Sequence, residues 1–399
     1  MIKVREHEVQ EITFLDILFR SLLDINLKSS FPHNIHSIRI HKEEELVKSI
    51  SIGFGVLQEF KIKSKLIGNK KPVFIIAEVG INHNGSYQIA KKLVDVAKQA
   101  GADCVKFQTH ITEKEMIKTN ITPGKISKKT LWSIIKNCEL TEKDEFKISR
   151  YCKDKKIIFL STPFSIEAVD RLEKIRMPAY KIGSGELTNI PFLKYIAKIR
   201  KPVILSTGMS EMNEIKSAVS LFKNHKVPLA LLQTTSVYPS DYGDINLGVI
   251  AQYSKIFNVP VGISDHSIGI YTALGAVAKG ASIVEKHITL DKKMPGPDQR
   301  LSLEPIELKE LVKGCRAIKL ALGNSKKILK KELPVLRFAR ESVVAKTKIR
   351  KYEIFSEKNL TTKRPNTGQI PAKNFYKILG KKAKKDIPES KQLSYSDIT

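Results

Sequence analysis

The chain has 399 residues, 42% hydrophobic and 28% charged, which suits one large α/β domain with a smaller one beside it. Its net charge of +28, from 69 basic and 41 acidic residues, rests on lysines dispersed along the whole length without interleaved aromatics, a pattern that argues against nucleic acid as a partner. Four sparse cysteines without CxxC spacing exclude a disulfide framework, and neither the charged start Met1 to Glu8 nor the interrupted apolar stretch Ile12 to Leu23 reads as an export signal or membrane span, so reduced thiols and a cytoplasmic location are expected.

Residues 1–58 form an extension with no clear motif; within it Phe14 to Leu27 has the spacing of an amphipathic helix, and Pro32 breaks the chain direction after it. From Val73 onward, short runs rich in β-branched residues alternate with stretches of helical periodicity such as Tyr87 to Gln99 and Ile166 to Arg176. Eight strands are predicted: Val73 to Ala77, Cys104 to Phe107, Ile157 to Leu160, Ala179 to Ile182, Pro202 to Leu205, Leu229 to Leu232, Pro260 to Ile263 and Ala281 to Val284. Eight serial βα units favour a TIM (β/α)8 barrel over an open sheet, because closure removes both edges. The barrel is placed at 59–324, a linker with the lysine-rich Lys326 to Lys331 at 325–341, and a small turn-rich module with apolar patches at Val343 to Ala345 and Phe375 to Leu379 at 342–399.

The polar residues that follow the strands carry the functional argument. They are Glu78, Gln108 beside Lys106, Ser161 with Thr162, Ser184 with Glu186, Ser206, Gln233, Ser264 with His266, and Glu285 with His287. All belong to the C-terminal strand ends, the face of a barrel that holds its active site. Two imidazoles at matching positions of two strands can share a divalent metal and leave coordination positions open for a substrate oxygen.

The motifs Ile75 to Gly85 (IIAEVGINHNG), Val105 to His110 (VKFQTH), Ser161 to Phe164, Tyr180 to Glu186 (YKIGSGE), Leu205 to Met209, Gly262 to His266 (GISDH), Val284 to Thr289 (VEKHIT) and Pro295 to Asp298 (PGPD) resemble those of the N-acetylneuraminate (sialic acid) synthases. The resemblance runs from about residue 59 to the end. It implies a barrel followed by an antifreeze-like (SAF, β-clip) domain, and an enzyme that condenses phosphoenolpyruvate with an N-acetylhexosamine such as N-acetylmannosamine and water, using Mn2+ or Mg2+ and releasing phosphate. By the same resemblance Lys106, Thr162, Lys181, Ser184, Ser206 and Ser264 match the phosphoenolpyruvate-binding positions, and the residue types suit a dianion that needs ammonium groups and hydroxyl donors. His266 and His287 match the two metal ligands, where the ion would polarise the sugar aldehyde.

Glu78 matches the family's acid near the metal and both substrates, with Glu186 a second candidate for proton traffic. Gln108, Tyr238 and Asp298 match the sugar or metal-water pocket, and Phe338 an aromatic near the sugar. His83 and His110 are expected to line the pocket rather than bind metal. Arg364, within Lys363 to Gly368, matches a loop whose arginine enters the active site of the partner in a domain-swapped homodimer. Three departures bear on the choice of sugar: Ser236 and Lys125 stand where some members have asparagine, and Gln299 follows PGPD where histidine is common. The PGPD segment favours the sialic or legionaminic branch over the pseudaminic one. The alternatives are a legionaminate-type synthase with a different hexosamine, an aldolase or lyase on the same barrel, and a glycan-binding protein with an inert barrel.

Overall fold

A computed structural model describes residues 59–123 and 129–399, and the chain divides into two compact units, Met1–Leu322 and Gly323–Thr399. The expected helix at Phe14 to Leu27 lies outside the described residues. Among the described residues, no helix is long and apolar enough to cross a membrane, and all four cysteines are buried free thiols.

In the first unit a hairpin, β1 (Phe60–Ile62) and β2 (Lys65–Ile67), precedes eight strands: β3 (Phe74–Gly80), β4 (Cys104–Thr109), β5 (Ile158–Pro163), β6 (Tyr180–Ile182), β7 (Val203–Ser206), β8 (Leu229–Thr234), β9 (Val261–Asp265) and β10 (Ile283–His287). They form a parallel sheet in the order β5-β4-β3-β10-β9-β8-β7-β6, so the last strand pairs with the first and the sheet curls into a nearly closed barrel with helices outside. The predicted barrel is thus observed, with each predicted strand present. Most run one to three residues further toward their C-terminal ends than their apolar runs indicate.

The reason is that both faces of these strands are buried. Lys106, Thr162, Ser264, Glu285 and His287 are buried polar residues inside the strands rather than beyond them. Parallel strands sandwiched between a filled barrel and its helices need no solvent-facing residue to mark their length.

The helices follow the usual amphipathic logic. Helix α1 (Tyr87–Ala100) is capped by the Ser86 hydroxyl, which accepts from Ile89 N, and ends at Gly101 with φ of 84°. Its buried residues Ala90, Leu93, Val94, Ala97 and Ala100 repeat at helical spacing and face the strands. At the opposite end of the barrel from the predicted site, Asp103 gathers Lys65 at 2.7 Å and Arg316 at 2.5 Å and accepts from Ile75 N at 3.0 Å. This buried carboxylate ties the hairpin to the starts of β3 and β4.

The second unit has its own core of Val343, Ala345, Ile349, Phe355, Leu360, Ile370 and Ile378, around a hairpin of β11 (Ser342–Ala345) and β12 (Leu360–Lys363). The expected linker is partly helical, with Leu333–Ala339 forming a short helix.

Candidate active site

Alternation along each strand turns every second side chain inward. In β4 that selects Lys106 and Gln108, and in β10 Glu285 and His287. Lys286 points the other way, into a buried ion pair of 2.9 Å with Asp265 of β9. The register places Glu78 opposite both Lys106 and His287, and Ser264 opposite Glu285.

The inward groups line a cavity of about 250 Å3 formed by Glu78, Lys106, Gln108, Thr162, Phe164, Lys181, Gly183, Ser184, Gly185, Ser206, Met209, Thr234, Ser236, Tyr238, Ser264, His266, Glu285 and His287. Residues more than 200 positions apart in the chain thus share one space. Four residues of this unit expected at the pocket, His83, His110, Glu186 and Asp298, do not line it; the two histidine rings are buried beside the strand ends instead. Glu186 sits in a 3-10 turn, where its carboxylate accepts from Asn189 Nδ2 at 2.8 Å. Asp298 lies behind His287, with Oδ2 3.8 Å from Nδ1.

Phe338 and Arg364 belong to the second unit and are both exposed. Lys125 lies outside the described residues. Gln299 is fully buried and donates to Asn82 O at 3.1 Å, which fastens the Pro295 to Asp298 turn to the loop after β3.

At the floor, Lys106 Nζ pairs with Glu78 Oε2 at 2.7 Å and donates to Thr162 Oγ1 at 3.0 Å. Lys181 Nζ donates to Ser206 Oγ at 2.7 Å. Between the two ammonium groups lies Glu285, 3.8 Å from Lys106 and 3.7 Å from Lys181, with Ser264 Oγ donating to it at 2.9 Å.

The sequence reading placed Glu285 at a strand end without giving it a role. The signal that finds it is parity: if His287 faces inward, so does the residue two before it.

Burial and mutual charge set the ionisation of this cluster. Burial pushes Glu78 up to about 7 despite the pull of Lys106, with Glu285 adding to the rise. Glu285 itself is held low: burial would raise it, but Lys106 and Lys181 outweigh that. Burial lowers Lys181 to about 8, whereas Lys106, flanked by Glu285 and Glu78, is raised against the same penalty.

Both histidines are kept neutral by burial, His287 the more strongly, helped by the nearby positive groups. His266 Nδ1 lies 2.8 Å from Thr235 O, so it donates there and leaves Nε2 as the free lone pair. Tyr238 packs on His266 at a centroid distance of 4.2 Å, and the two imidazoles are 5.6 Å apart. His287 Nδ1 is buried with no hydrogen-bond partner. Neutral rings with an uncommitted nitrogen fit the donor set of a divalent metal. Among the described residues no three His, Cys, Asp or Glu side chains converge as a complete site, so two imidazoles would leave most coordination positions to water or substrate.

A (β/α)8 barrel with ammonium groups, hydroxyls, a carboxylate and paired imidazoles at its C-terminal rim is the architecture of an enzyme that handles a small anion. The NeuB family model matches residues 93–327 and the SAF domain model residues 340–399. The chain is 44% identical over 329 residues to the N,N'-diacetyllegionaminic acid synthase of Campylobacter jejuni, covering 80% of this chain and 98% of that one. Identity to the human N-acetylneuraminate-9-phosphate synthase is 36% over 329 residues, covering 81% and 92% respectively. The crystal structure of the N-acetylneuraminic acid synthetase of Leptospira borgpetersenii in complex with citrate is 36% identical, with a TM-score of 0.64 over 70% of this chain and 95% of that one. The chain belongs to the NeuB family of sialic, legionaminic and pseudaminic acid synthases and ends in a SAF domain.

Proposed function

We propose that the protein condenses phosphoenolpyruvate with an N-acetylhexosamine and water to give a nonulosonic acid and phosphate, with N-acetylmannosamine or the hexosamine of the legionaminic branch as second substrate. The observation that carries this reading is the meeting of Lys106, Lys181, Glu78, His266 and His287 around one cavity. Two buried ammonium groups and the hydroxyls of Thr162, Ser206 and Ser264 suit an anion bearing both a carboxylate and a phosphate. Ser184 is a further lining hydroxyl, although in the free protein its Oγ accepts from Gly208 N at 3.0 Å.

His266 and His287 would hold Mn2+ or Mg2+, which when bound supplies Lewis-acid polarisation of the sugar aldehyde. C3 of the enol phosphate bonds to the aldehyde carbon, whose oxygen takes up a proton to become a hydroxyl, and water adds to C2 and gives a proton up. The C2–O bond to phosphate breaks, releasing inorganic phosphate.

Glu78, poised by burial near neutrality beside Lys106 in the free protein, is suited to take a proton from that water. Gln108 and Tyr238 are assigned to the sugar side, and Asp298, behind His287, to the metal side. Glu186, directed at Asn189, is the weaker candidate for proton traffic. Arg364 and Phe338 are assigned to the active site of a second copy in a domain-swapped homodimer, where a planar guanidinium suits an acetamido carbonyl.

The test is phosphate release from phosphoenolpyruvate across a panel of free N-acetylhexosamines with Mn2+ or Mg2+, followed by product mass. Equimolar phosphate and a nine-carbon keto acid are expected with at least one sugar. No release with any of them defeats the proposal.

A further inference from the structure

His110 follows β4, and its buried ring stacks on Phe164 at a centroid distance of 4.5 Å and 12°. Neither His110 nor its neighbour Glu115 lines the cavity. Both ring nitrogens are nonetheless engaged. Nδ1 lies 2.9 and 3.1 Å from the two carboxylate oxygens of Glu115, whose side chain is 4% exposed, and Nε2 lies 3.1 Å from Oε1 of Gln108. The other end of that amide, Nε2, donates to Glu78 Oε1 at 3.2 Å, and Glu78 Oε2 in turn takes Lys106 at 2.7 Å. A continuous line of polar contacts therefore runs from Glu115, outside the cavity, to the carboxylate at its floor.

The line has a direction. An amide carbonyl only accepts, so with Gln108 Oε1 facing it His110 Nε2 is the donor of that contact, while Nδ1 faces the Glu115 carboxylate. With its oxygen thus held, Gln108 turns its NH2 toward Glu78. With Glu78 ionised, the reversed amide would set oxygen against carboxylate oxygen in a buried space, leaving both unsatisfied. The two ends of a glutamine amide are nearly the same shape, so packing alone does not choose between them.

We propose that His110, anchored by Glu115, is a positioning residue that fixes the orientation of the Gln108 amide and so keeps Glu78 as the acceptor of two donors. The effect on turnover rests on the synthase reading above; the hydrogen-bonded line does not.

The test uses His110→Phe, which keeps a ring against Phe164 and removes both ring nitrogens, together with Gln108→Leu and the double variant, in the full chain. In His110→Phe kcat is expected to fall about tenfold or more while the phosphoenolpyruvate KM stays within about twofold, because Lys106 and Lys181 are untouched. The double variant is expected to be no worse than Gln108→Leu alone, since His110 acts through Gln108. Fully additive losses, or unchanged kcat in His110→Phe, would overturn the proposal.

A second readout needs no turnover. With 15N-glutamine labelling, the Gln108 side-chain NH2, identified by its absence in Gln108→Leu, should be dispersed and protected from exchange in the wild type. It should collapse to the position of an unrestrained amide in His110→Phe, or in Glu115→Leu if the first variant does not fold. An unaltered Gln108 signal in the folded variant counts against the proposal. Absence of wild-type phosphate release with the expected amide behaviour would defeat the synthase reading and leave the positioning role standing.

Discussion

Lys106 and Glu78 face each other across β4 and β3 and form an ion pair of 2.7 Å with both side chains at most 3% exposed. A pair this deep owes its place to what it does, because removing two charges from water costs several kcal/mol per ion before their attraction offsets it. An arriving dianion would take Lys106 as its partner, and Glu78 would become free for proton transfer. Replacing Lys106 with methionine is expected to raise the phosphoenolpyruvate KM by at least about tenfold, the loss of a buried charge-assisted contact. Steady-state kinetics checks this, and an unchanged KM would remove Lys106 from the anion site.

The pH profile follows from the two neighbouring groups whose ionisation burial shifts most usefully. Glu78, raised to about 7, is ionised above that pH, and Lys181, lowered to about 8, is cationic below its own. If activity needs the carboxylate and the ammonium together, kcat/KM should rise toward pH 7 and fall beyond about pH 8. Glu78→Gln should abolish the acidic limb, and a flat profile in the wild type would contradict both assignments.

The extent to which this site was legible in the sequence depends on which face each residue occupies. Eight apolar runs disclosed the barrel because parallel strands buried on both faces are continuous in hydrophobicity. Their true ends were hidden because Lys286 and Asp265, which look like loop residues, are buried on the helix side at 1% exposure each. Glu285 stood in plain view beside His287, yet a carboxylate next to two lysines had no reason to be placed until the register set Ser264 opposite it. The hairpin at Phe60 to Ile67 escaped notice because three-residue strands carry too little periodicity to register.

The Lys286–Asp265 pair also holds the two histidine strands together. Lys286 Nζ donates to Ser267 O as well as Asp265, and Asp265 accepts from Ser267 N at 2.9 Å and Thr272 Oγ1 at 2.6 Å. Lys286→Met therefore strands a buried carboxylate and loosens the turn that carries His266. A loss of roughly 3–5 kcal/mol in unfolding free energy is expected, the usual consequence of breaking a buried pair on one side. Urea denaturation measures it, and a loss below about 1 kcal/mol would show the pair to be dispensable.

Glu145 offers a test on stability alone. Its side chain is buried; Thr109 Oγ1 donates to one carboxylate oxygen, Arg171 lies 3.6 Å from the other, and burial raises it to about 7 from 4.5. For an acid raised on folding, the penalty is absent below the unfolded value and grows as pH rises to the folded one, reaching on the order of 3 kcal/mol. Glu145→Gln should thus gain stability relative to wild type at pH 8 but not at pH 4. Equal differences at both pH values would refute the buried-acid account.

The convergence of Lys106, Lys181, Glu78 and the two histidines is tested most directly by running the condensation in 18O-labelled water and weighing both products. Water adding at C2 predicts label in the keto acid and unlabelled phosphate, with both products lost in His287→Ala. Labelled phosphate, or pyruvate in place of a nine-carbon acid, would contradict the assignment of this cavity.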